Sequence, residues 1–174
     1  MTMLLAGCSI NKQPYPRYWP PMVMNQTDCP DLSGRYQNQN TECKGADCEY
    51  LSSRFSFLGN TRFGAAEAEL QGPNEEQLTI RYQAVGSTSG ATFSLKRGAD
   101  FQCEGGQVVL EEPGEFMSGD GAFGRRGMTR RYFSRTVDGS LVMRKAGSAG
   151  GIVFLIIPVY LSGETWTRWA PIEK

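Results

Sequence analysis

The sequence predicts a mainly β protein, an antiparallel meander of about eight short strands forming a small barrel or a strongly curved sheet, with one short helix. Three observations lead there. Twenty-one glycines and nine prolines in 174 residues interrupt the chain at short intervals, and no long 3.6-residue pattern survives between them. Several short segments alternate apolar and polar residues with the two-residue period of a half-buried strand. Turn-forming pairs, Asp138-Gly139 the strongest, separate those segments at hairpin spacing.

Asp31-Leu32-Ser33-Gly34-Arg35-Tyr36 reads as the opening strand, with Leu32 and Tyr36 on one face. Gly34 between them marks a bulge or a place where another segment comes close. Leu51, Phe55 and Leu58 follow the i, i+4, i+7 spacing of one helix face, which predicts a short helix ending at Gly59-Asn60. From Ala66 the period shortens to two. Gln77–Ala84 places Leu78, Ile80, Tyr82 and Ala84 inward and Thr79, Arg81 and Gln83 outward. After a hairpin loop at Gly86–Gly90, Ala91–Lys96 repeats that pattern. Phe101–Cys103 and Gln107–Glu111 form the next hairpin, turning at Glu104-Gly105-Gly106.

Residues 112–128 read as a long glycine-rich loop. Thr129–Val137 and Ser140–Lys145 flank Asp138-Gly139, which suits a tight primed turn. Gly150-Gly151 separates that hairpin from Ile152–Tyr160, an apolar run far shorter than a membrane-spanning helix. The run predicts a strand buried on both faces, with Pro158 at a bulge or near an edge. Ser162-Gly163 turns into a last strand, Glu164–Ala170. There Trp166 and Trp169 face opposite sides, one in the core and the other at a rim, an edge or an interface.

Composition excludes several functions. Lys plus Arg equals Asp plus Glu, 18 against 18, so the basic excess of a general nucleic-acid binder is missing. Histidine is absent, which removes Ser-His-Asp and Cys-His hydrolases. Glu75-Glu76 and Glu111-Glu112 are sequence neighbours, so on strands they point to opposite faces and form no dyad. Gly119-Asp120-Gly121 lacks the further ligands of a calcium loop. No phosphate-binding Gly-x-x-x-x-Gly-Lys occurs. The expectation is a protein that is not an enzyme, with no catalytic residue, metal or cofactor assigned.

The chain opens Met1-Thr2-Met3-Leu4-Leu5-Ala6-Gly7-Cys8-Ser9. Leu5-Ala6-Gly7-Cys8 resembles the lipobox of bacterial lipoproteins. The resemblance implies that Cys8 receives a thioether-linked diacylglycerol, is exposed by cleavage, and is then N-acylated. Residues 1–7 would be the remnant of a signal peptide. Seven uncharged residues precede Cys8, too few for a basic and apolar leader, so the signal is expected to begin upstream or to have been trimmed. By the same resemblance to Gram-negative lipoproteins, Ser9 in place of an aspartate implies the outer membrane, with the domain facing the periplasm. More than one acyl chain gives stable anchoring at roughly 0.8 kcal/mol per buried methylene.

Residues 8–28 then read as the lipidated cysteine and a tether, with 29–174 a single β domain. Pro14, Pro16, Pro20 and Pro21 favour an extended, semi-rigid spacer. Tyr15, Tyr18 and Trp19 among them either lie on the domain or at the headgroup level, or form a proline-rich recognition segment. The phrase Cys29-Pro-Asp-Leu-Ser-Gly-Arg-Tyr36 is similar to openings of uncharacterised Gram-negative lipoproteins, a likeness that carries no activity. Its Gly-x-Tyr part also resembles lipocalin-like barrels, without their Gly-x-Trp signature.

Four cysteines remain, Cys29, Cys43, Cys48 and Cys103. An even count in an exported protein predicts two disulfides, with three possible connectivities. Cys43 pairs with Cys48 across a Gly-containing turn, and Cys29 with Cys103. The alternative, a four-thiolate zinc site, lacks the paired knuckle spacing.

Arg125, Arg126, Arg130, Arg131 and Arg135 crowd beside the glycine-rich loop. They form either an anion site, for lipid phosphate, lipopolysaccharide or an anionic cell-wall polymer, or a solvated strand paired with Glu111, Glu112, Glu115 and Asp120. The leading expectation is a non-enzymatic outer-membrane lipoprotein with a structural or partner-binding role in the envelope. The competing one is a lipocalin-like binder of a small apolar or lipid ligand, in a cavity lined by Leu78, Ile80, Tyr82 and Phe93.

Overall fold

Alternating side chains from two separate meanders meet in one core. The computed structural model describes residues 9–23, 29–44, 48–55, 65–74, 76–84, 90–114, 122–153 and 157–173. The elements are β1 (Ser9–Lys12), β2 (Gly34–Gln37), α1 (Ser52–Phe55), β3 (Ala65–Gln71), β4 (Gln77–Ala84), β5 (Gly90–Lys96), β6 (Gln102–Glu104), β7 (Gln107–Gly114), β8 (Ala122–Arg135), β9 (Leu141–Val153) and β10 (Ile157–Trp169). They form a six-stranded sheet, β1-β10-β9-β8-β7-β6, and a four-stranded sheet, β2-β3-β4-β5. Neighbours are antiparallel except β1, which lies parallel to β10. Among the described residues neither sheet closes into a barrel, so the curved, open form of the predicted β fold is the one adopted.

The inward residues of β4 are those the alternation selects: Leu78, Ile80 and Tyr82 are fully or almost fully buried. They pack with Phe133, Leu141, Met143 and Trp169 of the other sheet. Phe55 of α1 stacks on Phe133 at 4.5 Å between ring centroids, plugging the same core. The predicted lining of an apolar cavity is therefore part of the core cluster, with Phe93 partly buried against it.

Gly34 owes its place to a close approach. A Cβ there would lie 2.9 Å from Tyr36 Oη and 3.0 Å from Cζ. That ring is fixed by burial and by its hydroxyl, which donates to the Leu32 carbonyl at 2.8 Å. Gly34→Ala is expected to lower stability by about 1–3 kcal/mol, the usual cost of overpacking, seen as a lower urea midpoint at unchanged slope.

Burial pushes the Tyr36 phenol up to about 12, against the opposing pull of Arg135, and raises that of Tyr82 as well. A phenol whose folded value exceeds its unfolded one favours the folded state below the unfolded value and loses that contribution as pH rises through the folded one. Stability should therefore hold to about pH 10 and fall between about pH 10 and 12, by up to ~1.4 kcal/mol per unit for each buried phenol. Urea midpoints across that range test this, with tyrosinate absorbance showing two rings silent until unfolding.

Several element boundaries differ from expectation. The ladder between β7 and β8 runs out to Pro113↔Met128 and Gly114↔Gly127, so much of the expected loop 112–128 is strand. The remaining residues, 115–121, which include Glu115 and Asp120, lie outside the described residues. Gly150-Gly151 and Ser162-Gly163 are not turns. They lie inside β9 and β10, with Gly147 opposite Gly163 and Gly150 opposite Tyr160. Glycine accepts extended backbone readily, so without a partner residue demanding a bend it continues the strand. The apolar run Ile152–Tyr160 is divided between two antiparallel strands, with Val153 paired to Ile157 and Ile152 to Pro158. It carries no Gly, Asn or Asp to announce the reversal.

The helix is a single turn, Ser52–Phe55, and its expected end at Gly59-Asn60 lies outside the described residues, as does most of the Gly86–Gly90 loop. Gly105 and Gly106, at φ +57° and +73°, make the tight primed turn between β6 and β7. The Asp138-Gly139 connection is longer than that. Its turn closes over Val137 and Asp138 through Gly139 N–H to the Thr136 carbonyl at 2.9 Å.

Residues 9–23 lie along the domain instead of standing off it as a spacer. β1 pairs with Leu161–Glu164 of β10. Met22 forms a bridge with Thr136, and the Val137 N–H donates to the Pro21 carbonyl at 3.0 Å. Tyr15 meets Trp166 edge-on at 5.0 Å, and Trp19 is buried, its indole N–H donating to Glu42 at 2.7 Å. Aromatic rings attached to a stiff proline frame bury area at little entropic cost. Of the two readings of Tyr15, Tyr18 and Trp19, packing on the domain holds for Tyr15 and Trp19, while Tyr18 is 77% exposed. Cys8 lies outside the described residues.

Candidate functional site

Strand alternation separates the arginine cluster. Arg131 shares the core side of β8 with Phe133, and Arg130 faces the other way. Arg131 is 8% exposed and pairs with Glu112 at 2.5 Å. It also donates to the Arg54 carbonyl at 2.8 Å. Burial pulls its guanidinium below the ordinary value, and Glu112 acts in the opposite direction. Arg54 pairs with Glu49 at 3.0 Å, and Glu49 accepts the Thr167 hydroxyl at 2.6 Å. This chain of ion pairs fastens α1 and the strand-like approach to it against β7, β8 and β10.

On the opposite face Arg130 pairs with Glu111 and, at 3.6 Å, with Glu104. Arg135 closes β8, its carbonyl accepting the Val23 N–H at 2.7 Å. For Arg125 and Arg126 the backbone alone is described, with Arg126 opposite Gly150. The described arginines of the cluster thus divide between two faces, and Arg130 and Arg131 already hold carboxylates. Glu111 and Glu112 also point to opposite faces, each to a different arginine.

The outer face of the six-stranded sheet carries a hollow that sequence reasoning missed. Its volume is about 330 Å³, and its floor is a row of small residues, Ala146, Gly147, Ser148, Ser162 and Gly163. Lys12, Met128, Arg130 and Glu164 form its walls. The register explains the floor: Met128, Ser148 and Ser162 make one row across β8, β9 and β10, and Arg130, Ala146 and Glu164 the next on that face. Small residues in the middle strands leave space that larger flanking side chains enclose. The signal lay in Ala146–Ser148 and Ser162-Gly163, which resemble turns when taken alone.

The charges around the hollow are mixed. Arg144 pairs with Glu164 at 3.6 Å and lies over the Tyr132 ring at 4.0 Å, while Met128 stays 51% exposed. An exposed thioether beside a floor of small residues suits contact with a segment of another chain. Trp166 flanks this face, its indole N–H donating to the Gln13 carbonyl at 2.9 Å, and Trp169 lies in the core. The two tryptophans therefore divide between faces as the alternation predicts.

Below the hollow the face is fixed by Asp138. Partial burial would raise its carboxyl, but hydrogen bonds from Thr136 and Ser140 and the Arg168 charge outweigh that and hold it below the ordinary value. Arg168 pairs with it at 2.8 Å.

The expected cysteine pairs are both in place. Cys29 and Cys103 stand with Cα atoms 5.0 Å apart, and Cys43 and Cys48 4.4 Å apart, both within disulfide range. Cys103 lies on edge strand β6 and Cys29 just ahead of β2, so this bridge joins the two sheets. No helix among the described residues is long and apolar enough to cross a membrane. No group of three or more His, Cys, Asp or Glu side chains fit to hold a metal occurs among them. Compared with protein-family models, with curated proteins and with solved structures, the chain finds no match.

Proposed function

We infer that this chain is an outer-membrane lipoprotein, acylated at Cys8, whose β domain faces the periplasm and serves envelope structure by holding a partner. The observation that carries this reading is the pair of cystine bridges. Four cysteines so arranged suit an oxidising compartment, and the lipobox-like Leu5-Ala6-Gly7-Cys8 names a route to one. The hollow between Met128, Arg130 and Glu164 supplies the contact surface. Lipid phosphate or an anionic polymer is a weaker partner for this chain, because Arg130 and Arg131 are occupied by Glu104, Glu111 and Glu112.

The test is cross-linking in intact envelopes followed by capture of the protein. Wild type is expected to bring down a specific envelope partner, and Ser148→Trp, which fills the hollow, to lose it while keeping its thermal midpoint. Capture of nothing, together with an intact envelope on deletion of the gene, would remove the proposal. The same partners with Ser148→Trp would move the contact elsewhere on the domain.

A further inference from the structure

The two cystine bridges stand in different surroundings. Cys29 and Cys103 pack against the hydrophobic core. Cys43 and Cys48 lie away from it, in a hairpin-like excursion between β2 and α1 where Thr41, Glu42, Lys44 and Tyr50 are exposed. The base of this excursion is closed without any sulfur. Leu51 N–H donates to the Asn38 carbonyl at 2.7 Å, Asn40 N–H to the Glu49 carbonyl at 3.0 Å, and Glu49 N–H to the Asn40 side chain at 2.9 Å. The bridge closes a separation of 5 residues, against 74 for the other. Opening it therefore leaves the hairpin and the core standing, whereas opening the long one unties the two sheets.

A hydrogen-bond donor is aimed at these sulfurs. Gln39 is exposed and bridges Tyr50 across the hairpin. Its side-chain amide donates to Cys43 Sγ and also reaches Cys48 Sγ at 3.4 Å. The carboxylates next to the two cysteines are turned to other partners. Glu42 accepts from Tyr18 at 3.0 Å and from Trp19 at 2.7 Å, and Glu49 holds Arg54 and Thr167. In thiol–disulfide exchange one sulfur is attacked and the other leaves as a thiolate, faster the lower its thiol pKa. A hydrogen bond to the charged form lowers that pKa, and bonds to ionised acceptors are stronger than neutral ones. The Gln39 contact thus strengthens as the S–S bond breaks.

We propose that the Cys43–Cys48 bridge is a thiol–disulfide exchange site, opened by a protein dithiol and relayed through Glu42 to the docked N-terminal segment. A thiolate of the dithiol attacks one sulfur of the bridge, forms a mixed disulfide with it and expels the other as a thiolate beside Gln39. The second sulfur of the dithiol then attacks its own partner in the mixed disulfide and releases the remaining cysteine. Two electrons pass to the bridge, the dithiol becomes a disulfide, and its two protons end on Cys43 and Cys48. This goes beyond the envelope reading and does not depend on the state of Cys8.

Glu42 links the chemistry to the segment. It directly precedes Cys43, and its carboxylate is the acceptor for both Tyr18 and the buried Trp19. While closed, the bridge holds the Cα atoms of Cys43 and Cys48 4.4 Å apart, and Glu42 is held with them. Once the bridge opens, the backbone restraint at Cys43 is a long bond, from its N–H to the Asn40 carbonyl at 3.3 Å. Thr41 stays fixed on the Arg168 carbonyl at 2.8 Å, so the movement is local. Glu42 gains freedom, and Trp19 loses a fixed acceptor.

The test uses the full chain with Cys8→Ser, which removes a competing thiol, and dithiothreitol as the dithiol. Free thiols are trapped by alkylation at intervals and located by peptide mass. Cys43 and Cys48 should be alkylated about tenfold faster than Cys29 and Cys103, with the β4 amides still protected. Gln39→Leu changes an exposed side chain and should slow the opening about threefold. Gln39→Glu, which sets a carboxylate against the leaving thiolate, should slow it further. A merely structural Gln39 would not produce that order of rates. Hydrogen exchange at residues 17–19 should quicken in protein reduced at Cys43 and Cys48 alone. Equal rates for the two bridges, faster opening of Cys29–Cys103, or rates indifferent to residue 39 overturn the exchange site. Unchanged hydrogen exchange at 17–19 overturns the relay through Glu42.

Discussion

Replacing Cys29 and Cys103 together by alanine is expected to lower stability by about 4–5 kcal/mol and the thermal midpoint by about 10–15 °C. The bridge spans 74 residues, and loop closure of that length removes much of the unfolded chain's freedom. The bridge between Cys43 and Cys48 spans only 5, so the same argument gives about 2 kcal/mol for its removal. The long bridge therefore stabilises the fold more than the short one. Calorimetry of both double variants under oxidising conditions reads it, and a larger loss from the short bridge would contradict the entropic account. The consequence reaches function, because Cys103 lies on the edge strand of the sheet whose outer face forms the hollow.

The second large effect falls on Arg131. Arg131→Ala strips Glu112 of its partner and removes the donor to the Arg54 carbonyl. Breaking a buried pair costs about 3–5 kcal/mol in general, but the Glu112 side chain is 26% exposed and regains water. The expected loss is therefore about 2–3 kcal/mol, read from urea midpoints. Arg131→Met fills similar volume, and with Glu112→Leu beside it should recover most of that loss. The outcome separates two readings of the arginine cluster. If Arg131 served an anion, Arg131→Ala would leave stability nearly unchanged and added phosphate would raise the wild-type midpoint. Neither is expected.

The sequence was most legible where alternation and turn chemistry agreed. Gln77–Ala84 is β4 to the residue, and Leu78, Ile80 and Tyr82 of its apolar positions are in the core. Gly105-Gly106 makes the turn its composition announces. The pairing of Cys29 with Cys103 could be read because an even count left few arrangements. The long strands could not. Gly150-Gly151 and Ser162-Gly163 are compatible with turn or strand, and only their partners across the ladder decide. The reversal between β9 and β10 is set by tertiary pairing, since residues 153–157 contain no turn former.

Residue order also concealed the site. The hollow takes residues from β1, β8, β9 and β10, a spread of more than 150 positions between Lys12 and Glu164, and its floor is defined by what those residues lack. The arginine cluster showed the opposite hazard. Five like charges close together in sequence suggested one surface, but period-two geometry sends neighbours to opposite faces. The proline-rich segment likewise read as a spacer because stiffness was visible and its docking partners, Trp166 and Thr136, were far away in sequence.

The proposed compartment and the proposed tie to a bilayer both depend on Cys8. Intact mass spectrometry of the protein extracted from membranes of its native host decides the matter. The account predicts a chain beginning at Cys8, heavier by a diacylglyceryl group and an amide-linked fatty acid, and lighter by the four hydrogens of two cystines. A soluble chain with an unmodified Cys8 and four free thiols would contradict it.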